Sequence, residues 1–473
     1  MSWPLAGEDR GPTTPLRAAI EAMHIARVPV SIPRTGTVAV TRCDDDGGPG
    51  TLRDAVENAL NGDLVDLTEL GCSTITLAGA LEVAVNDLWL RGPSGAGLVI
   101  DGGTNDRVFY KPLGGTLTIE NLVIANGRFV AEGTDVGFGG CIASAGPVRL
   151  VGSTVRDCWA QGVGAYGGAI LSGTLTMKGS TISGSTAFGD HPTNGTAAYG
   201  GGAFAYGIDM VDSTISGNRA IGTHNAPLSH WEIGGGLFVA RSGGTIERST
   251  IDNNYAMRFA GGLAQEDFLT LRNSTISGNV ARDDDGGGLR VKQVTNVAIH
   301  NSTITANFAG SFGGGISFGF LSGSTGFTSS IISGNVSATD ADIGNATPLA
   351  VPGSHNLIGA IGAGIAIPVD SVRDDALLLP LAANGGRTRT HALVHASPAI
   401  DAGTNMDGLS TDQRSLGFAR EFNGIADIGA YEYQPAPAGQ IEAVALPGLR
   451  TVATALLAIL LAWLGLTKMR RRT

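Results

Sequence analysis

The sequence predicts an all-β chain, a right-handed parallel β-helix of about nine coils with capping segments and one C-terminal transmembrane helix. Three observations carry this reading. Glycine supplies 72 of 473 residues, about twice the ordinary share of roughly 7%. It follows no three-residue register and proline numbers only 19, so a collagen helix is excluded. A short motif recurs as STISG at Ser180, STISGN at Ser213, STIDNN at Ser249, STISGN at Ser274, STITAN at Ser302 and SIISGN at Ser330, with weaker copies at Ser153 and Leu122. Its third position is apolar in every copy, from Ile124 to Ile332, and so is the position three before its start, from Ile119 to Phe327. Equivalent side chains of successive coils stack at about the 4.8 Å spacing of hydrogen-bonded strands, so each column becomes a continuous interior file.

Residues 1–37 read as a poorly ordered leader in which no signal-peptide run is visible. Residues 38–72 form an N-terminal cap. Within it, 51–60 (TLRDAVENAL) predicts a short amphipathic helix with Thr51 as N-cap, Leu52, Val56, Ala59 and Leu60 on one face, and Gly62 after its end. An uncovered solenoid end is an open sheet edge, and this helix is placed to cover it. The coils occupy 73–345. A non-repeating block, 346–434, is expected to cover the other end, and a linker follows at 435–448. Residues 449–467 are almost wholly apolar and predict a membrane anchor, and Lys468, Arg470, Arg471 and Arg472 in the 468–473 tail favour a cytoplasmic C-terminus with the body outside.

The sixth motif position is Asn218, Asn254, Asn279, Asn307 and Asn335 in consecutive coils. Stacked amides can donate to one neighbour and accept from the other, so these five predict a structural ladder. A glycine cluster runs in phase, at Gly139, Gly167, Gly200, Gly234, Gly261, Gly286 and Gly313, where the chain must turn sharply. Four cysteines fall as two local pairs, Cys43 with Cys72 and Cys141 with Cys158, with no CxxC spacing. Two disulfides in an oxidising compartment are expected. Cys158 holds the ladder position and Cys141 directly follows its glycine pair, where other coils place Ala169, Ala203, Leu237, Leu263, Leu289 and Ile316, so a cross-core bridge is expected.

The net charge of −11 repels phosphate backbones, which argues against nucleic acid as a partner. A monomer is expected, tethered to a membrane through its C-terminal helix.

Three stretches resemble a known family. The run VTRCDDDGGPGTLRDAVENALNGDLVDLTELGCSTITL resembles the opening of bacterial pectin-lyase-like β-helix surface proteins. LPLAANGGRTRTHALVHASPAIDAGTN, TDQRSLGFAR and DIGAYEY resemble the choice-of-anchor Q domain. Leu446-Pro447-Gly448-Leu449 before the apolar helix resembles an IPTL-type sorting tail, with glycine where threonine is usual. The resemblance implies an exported, envelope-held surface protein, in a superfamily that also contains polysaccharide lyases and hydrolases; fold alone does not choose between them. It also implies turn and ion-pair roles for Asp401, Asp412, Arg414, Asp427 and Glu432.

Candidate functional residues lie on one ridge. Two adjacent coils are lengthened at 188–199 and 221–231, and loops on one side of a solenoid often form its binding face. Tyr199, His191, His224, His230 and Trp231 are the candidate binding residues, the aromatics because their amphipathic rings suit sugar faces, with packing of the loops on each other as the alternative. Arg258 and Arg282 are candidate bases. Asp283, Asp284 and Asp285 are candidate catalytic groups and candidate Ca²⁺ ligands, or a solvated turn before GGG. No cofactor is expected unless Ca²⁺ binds there. The first functional expectation is a non-enzymatic adhesin-like or structural module with a polysaccharide or host or cell-surface glycan as partner; the second is a polysaccharide lyase or glycoside hydrolase.

Overall fold

The structure, a computed structural model, describes residues 36–435 except 96, 134, 191–196, 224–230, 293–295, 320–323 and 346–347. The transmembrane helix at 449–467, its basic tail and nearly all of the leader lie outside the described residues. No helix among the described residues is long and apolar enough to cross a membrane.

Inward β-branched residues stack coil on coil and generate the fold. Ile124, Val155, Ile182, Ile215, Ile251, Ile276, Ile304 and Ile332 pair in parallel register, as the repeat predicts. All are buried in one hydrophobic core. The column from Ile119 to Phe327 pairs in the same way. Around this core run three faces: a broad face of twenty strands, a motif face of eleven and a third face of eight. Eleven stacked strands exceed the nine coils expected. Ile75, Ile100 and Ile358 extend the column; Ile75 lies in a further copy, Ser73-Thr74-Ile75-Thr76, and Ile100 in Leu98-Val99-Ile100, like the weak copy at Leu122, whereas the coil of Ile358 keeps little more than the isoleucine.

Two polar ladders bracket the Thr-Ile-Ser strand of each coil. At one corner Asn218 N–H and Nδ2 both donate to Asn254 Oδ1, at 2.9 and 3.0 Å, and the pattern repeats through Asn279, Asn307 and Asn335. Asp342 Oδ1 receives the last pair of donors, from Asn335 N and Nδ2. At the other corner, the first motif serine makes a ladder that sequence reading overlooked. The backbone N–H of Ser153 donates to Ser180 Oγ, and so on through Ser213, Ser249, Ser274, Ser302 and Ser330 to Asn356 Oδ1. Each ladder satisfies corner amides that burial would otherwise leave unpaired.

Both disulfides form as expected. Cα–Cα distances are 6.3 Å for Cys43–Cys72 and 5.5 Å for Cys141–Cys158. The glycine-cluster alignment needs a correction. Ile170, not Ala169, pairs with Ala203, and Ile142 pairs with Ile170. Cys141 and Ala169 therefore occupy the position filled by Gly202, Gly236, Gly262, Gly288 and Gly315 in later coils. Those glycines face the asparagine ladder: a Cβ on each would meet the carboxamide carbon of its ladder residue at 2.8 to 3.0 Å. Where the ladder begins with Cys158, the facing position can hold Cys141, and the two side chains bond.

The N-terminal helix is Leu52–Glu57, with Thr51 as N-cap and Leu52, Ala55 and Val56 buried. It stops short of Leu60, which is 70% exposed instead of joining the apolar face; Asn58 caps the helix and Gly62 turns the chain at φ +85°. In the adjacent acidic turn, Asp45 takes Arg53 while Asp44 and Asp46 take Arg42.

The terminal block does more than close an end. Residues 349–372 finish the stack, through pairs such as Leu357 with Ile331. The chain then runs back along the outside of the motif face. Gln413 Oε1 accepts from Thr275 Oγ1 at 2.6 Å, Asn273 Nδ2 donates to the Thr411 carbonyl, and Arg389 pairs with Asp252. Arg414–Asp412 and Arg420–Glu432 are buried ion pairs that brace this block, and Asp427 accepts from the backbone of Asp401 and Tyr433.

Candidate functional site

The lengthened coils build a flap. Gly137–Phe138, Gly164–Tyr166, Ala197–Tyr199 and Trp231–Ile233 form a four-stranded parallel sheet. Phe138, Tyr166, Tyr199 and Ile233 share one register position of that sheet. They pack with outward residues of the broad face, Leu171, Phe204 and Phe238, as a second apolar cluster separate from the main core. Tyr199 stacks on Tyr166 with centroids 5.0 Å apart and meets Phe238 edge-on at 5.2 Å. Expected on an exposed loop, it is only 5% exposed. Burial of the ring against Tyr166 and Phe238 removes it from contact with a sugar and agrees with the other reading of these aromatics, packing of the lengthened coils. Trp231 is half-buried, 6.1 Å from Phe259. His191, His224 and His230 lie outside the described residues.

The acidic run does not converge. Asp283 is held by Arg282, Asp284 by Arg258, and Asp285 by Arg290 at 2.6 Å and by Ser317 at 2.7 Å. Successive residues send their carboxylates to different arginines. Among the described residues no three His, Cys, Asp or Glu side chains are grouped to hold a metal ion. The expectation that Asp283, Asp284 and Asp285 jointly ligate Ca²⁺ is therefore corrected. Arg258 and Arg282 are likewise tied to these carboxylates rather than set as bases.

A different constellation lies at the margin of the aromatic cluster. Along the outward column Leu171, Phe204, Phe238, Ala264 and Arg290 pair in register, so the aromatic run stops at Ala264. The small side chain leaves an open hollow of about 190 Å³, solvent included, lined by Ile233, Phe238, Ala264, Gln265, Glu266, Arg290 and Lys292. Burial, then the charge of Arg290, pushes the Lys292 ammonium down to about 8, while Glu266 and Asp285 oppose the shift. Burial raises the Glu266 carboxyl against the pull of Lys292, Arg241 and Arg290. The Arg290 guanidinium lies 4.2 Å from the Phe259 ring centre. Sequence reading missed Glu266, Arg290 and Lys292. The available signal was their phase with the glycine clusters, which places Ala264 and Arg290 on the outward side of one column.

Residues 148–348 match the family model described as the right handed beta helix region. That span is a right-handed β-helix. No curated protein matches the chain. Among solved structures, the pectate lyase Pel9A is similar at 14% identity and a TM-score of 0.48, over 85% of this chain and 98% of that one. The PL6 family alginate lyase AlyGC is similar at 13% identity and a TM-score of 0.29, over 85% of this chain and 60% of that one. Neither likeness bears on chemistry.

Proposed function

We propose that the protein is an exported, membrane-tethered surface β-helix, an adhesin-like module that holds glycans without cleaving them. One observation carries the non-enzymatic side of this reading. Each carboxylate of the acidic run is neutralised by its own arginine, so no acid and base converge there within reach of one reacting atom. The two disulfides suit an oxidising compartment outside the cell. The partly exposed Trp231, Arg290 and Lys292 supply an aromatic ring and charged donors of the kind that contact sugars.

The second reading, a polysaccharide lyase, has one observation in its favour. Lys292, held down at about 8 beside Arg290, has the character of a base that takes an α-proton near a neutralised carboxylate. The deciding experiment presents full-length protein in detergent to a glycan array and follows unsaturated-uronate absorbance with and without Ca²⁺. Binding without turnover is expected. Turnover that vanishes in Lys292→Met would replace the module with a lyase, and silence in both assays would overturn glycan recognition.

A further inference from the structure

We infer that the exposed surface of residues 404–433, in the terminal block, rests on the lipid bilayer to which the chain is tethered, with Met406, Leu416 and Ile425 entering the headgroup boundary. This rests on the membrane-tethered part of the reading above and adds the surface of the body that meets the lipid.

The first support is where exposed apolar side chains fall. Of the twelve large ones among the described residues, seven lie between Val369 and Ile425. Leu416 is 91% exposed, Met406 60% and Ile425 49%. Each stands at a turn. Met406 lies in the turn that Gly408 N–H closes on the Asn405 carbonyl, and Leu416 at the tip of the hairpin in which Thr411 pairs with Ala419. Ile425 follows the Asn423-Gly424 turn between two short antiparallel strands. Turn tips ordinarily carry Gly, Asn, Asp or Ser, and exposed apolar side chains gathered in one region mark a protein or membrane contact.

Charge narrows the choice. Residues 404–433 contain seven Asp, Glu and Arg residues, a larger share than the 15% of the whole chain, yet folding hides nearly all of them. Arg414–Asp412, Arg420–Glu432 and Asp427 are buried, and Asp407 is held by Arg272 and His300. Glu421 is left as the one exposed charged side chain of this stretch. Protein interfaces keep a polar rim, whereas charge brought against hydrocarbon is costly. A surface cleared of charge therefore suits lipid better than a protein partner.

Reach supplies the third support. Residues 434–448 join this stretch to the apolar run predicted as the anchor, and fully extended they span roughly 50 Å. A tether of that length holds the surface at a high effective concentration over the bilayer, so weak apolar contacts suffice. No exposed cation accompanies them, so the docking requires no anionic lipid.

The test reconstitutes the full-length chain in phosphatidylcholine vesicles and in the same vesicles with phosphatidylglycerol added. Leu416→Trp, Ile425→Trp and, as a control in the N-terminal cap, Leu60→Trp are compared with wild type by quenching of tryptophan emission with lipid brominated on its acyl chains. The first two are expected to lose most of their added emission and Leu60→Trp none, equally with and without phosphatidylglycerol and in high salt. Protein that floats with the vesicles while all three variants stay unquenched keeps the tether and overturns the docking. Equal quenching of Leu60→Trp overturns the assignment to this surface, and quenching only with phosphatidylglycerol overturns its apolar mode. Absent quenching together with a dimer in detergent that Leu416→Asp dissociates would give the surface to a second copy instead. Wild type that fails to float with vesicles overturns the tether and the docking together.

Discussion

Gly262 lies so close to Asn279 that a Cβ on the glycine would meet the asparagine's carboxamide carbon at 2.9 Å. The asparagine cannot retreat. Its Oδ1 accepts from Asn254 N and Nδ2, and its Nδ2 donates to the Ile251 carbonyl and to Asn307 Oδ1. Gly262→Ala is therefore expected to cost about 1–3 kcal/mol, the range for overpacking a filled interior. Pairing it with Asn279→Ser, which reproduces the Ala169 and Ser185 combination three coils before, should recover part of that loss. Urea midpoints of the two variants check the pairing, and an unaltered midpoint in Gly262→Ala would show that the ladder gives way freely.

Cys141 and Cys158 replace a glycine and an asparagine of the same geometry, separated by 17 residues. Closing a loop of that length is worth about 3 kcal/mol in the chain-entropy account. Reduction should lower the melting temperature of wild type. Cys141→Gly with Cys158→Asn places an amide at the first rung, next to Ser185, and should melt above the Cys141→Ala, Cys158→Ala protein. The two variants melting together would mean that the corner gains nothing from a further amide.

Asp284 pairs with Arg258 at 2.6 Å, both partly exposed. Exposed pairs of this kind are worth up to about 1 kcal/mol, so Asp284→Ala should change stability by no more than that. Ca²⁺ should leave the melting temperature of wild type and variant alike. A rise with Ca²⁺ in wild type that Asp284→Ala removes would restore the acidic run as a cation site.

His391 is the pH-sensitive tie between the terminal block and the coils. Its Nδ1 donates to the Leu379 carbonyl at 2.7 Å, which leaves Nε2 to accept from Ser277 Oγ at 2.8 Å, so the buried ring is neutral. Burial holds its pKa below the ordinary value of 6.5. A depressed folded pKa means that the unfolded chain binds the proton first as pH falls. The stabilisation is complete above about 6.5 and is lost as pH drops through the folded value. His391→Gln should flatten this acid limb of a stability-against-pH curve. An unchanged limb would show that another group sets it; Asp252 is not that group, because burial raises its folded pKa and its protonation would stabilise the fold as pH falls.

Column residues were legible in the sequence because equivalent side chains of a solenoid recur with the coil. The inward isoleucines, the asparagine ladder, both cysteine pairs and the Thr51 cap could each be read from spacing or local chemistry. The coil of Ile358, which shares little more than one isoleucine, was not; the copies at Ser73 and Leu98 carry the motif but stand apart from the regular run and were not counted with it, and the serine ladder was hidden inside a motif read for its apolar position. Ala169 was misaligned because a glycine pair and a glycine triple give the same signal one residue apart; only hydrogen-bond register separates them.

What the sequence alone determined is the periodic part of this protein: a parallel β-helix whose repeat states which residues face inward at each coil. The tertiary structure decided everything that depends on different coils or distant segments meeting. It put Tyr199 on the packed face of a flap rather than on an exposed loop and distributed Asp283, Asp284 and Asp285 among three arginines. It laid the terminal block along the motif face and brought Glu266, Arg290 and Lys292 around Ala264. The reason is physical. An inward position is dictated by burial against the same position one coil away, which the repeat itself supplies. An outward position takes its partner from whichever loop or segment is folded over it, and the repeat carries no record of that.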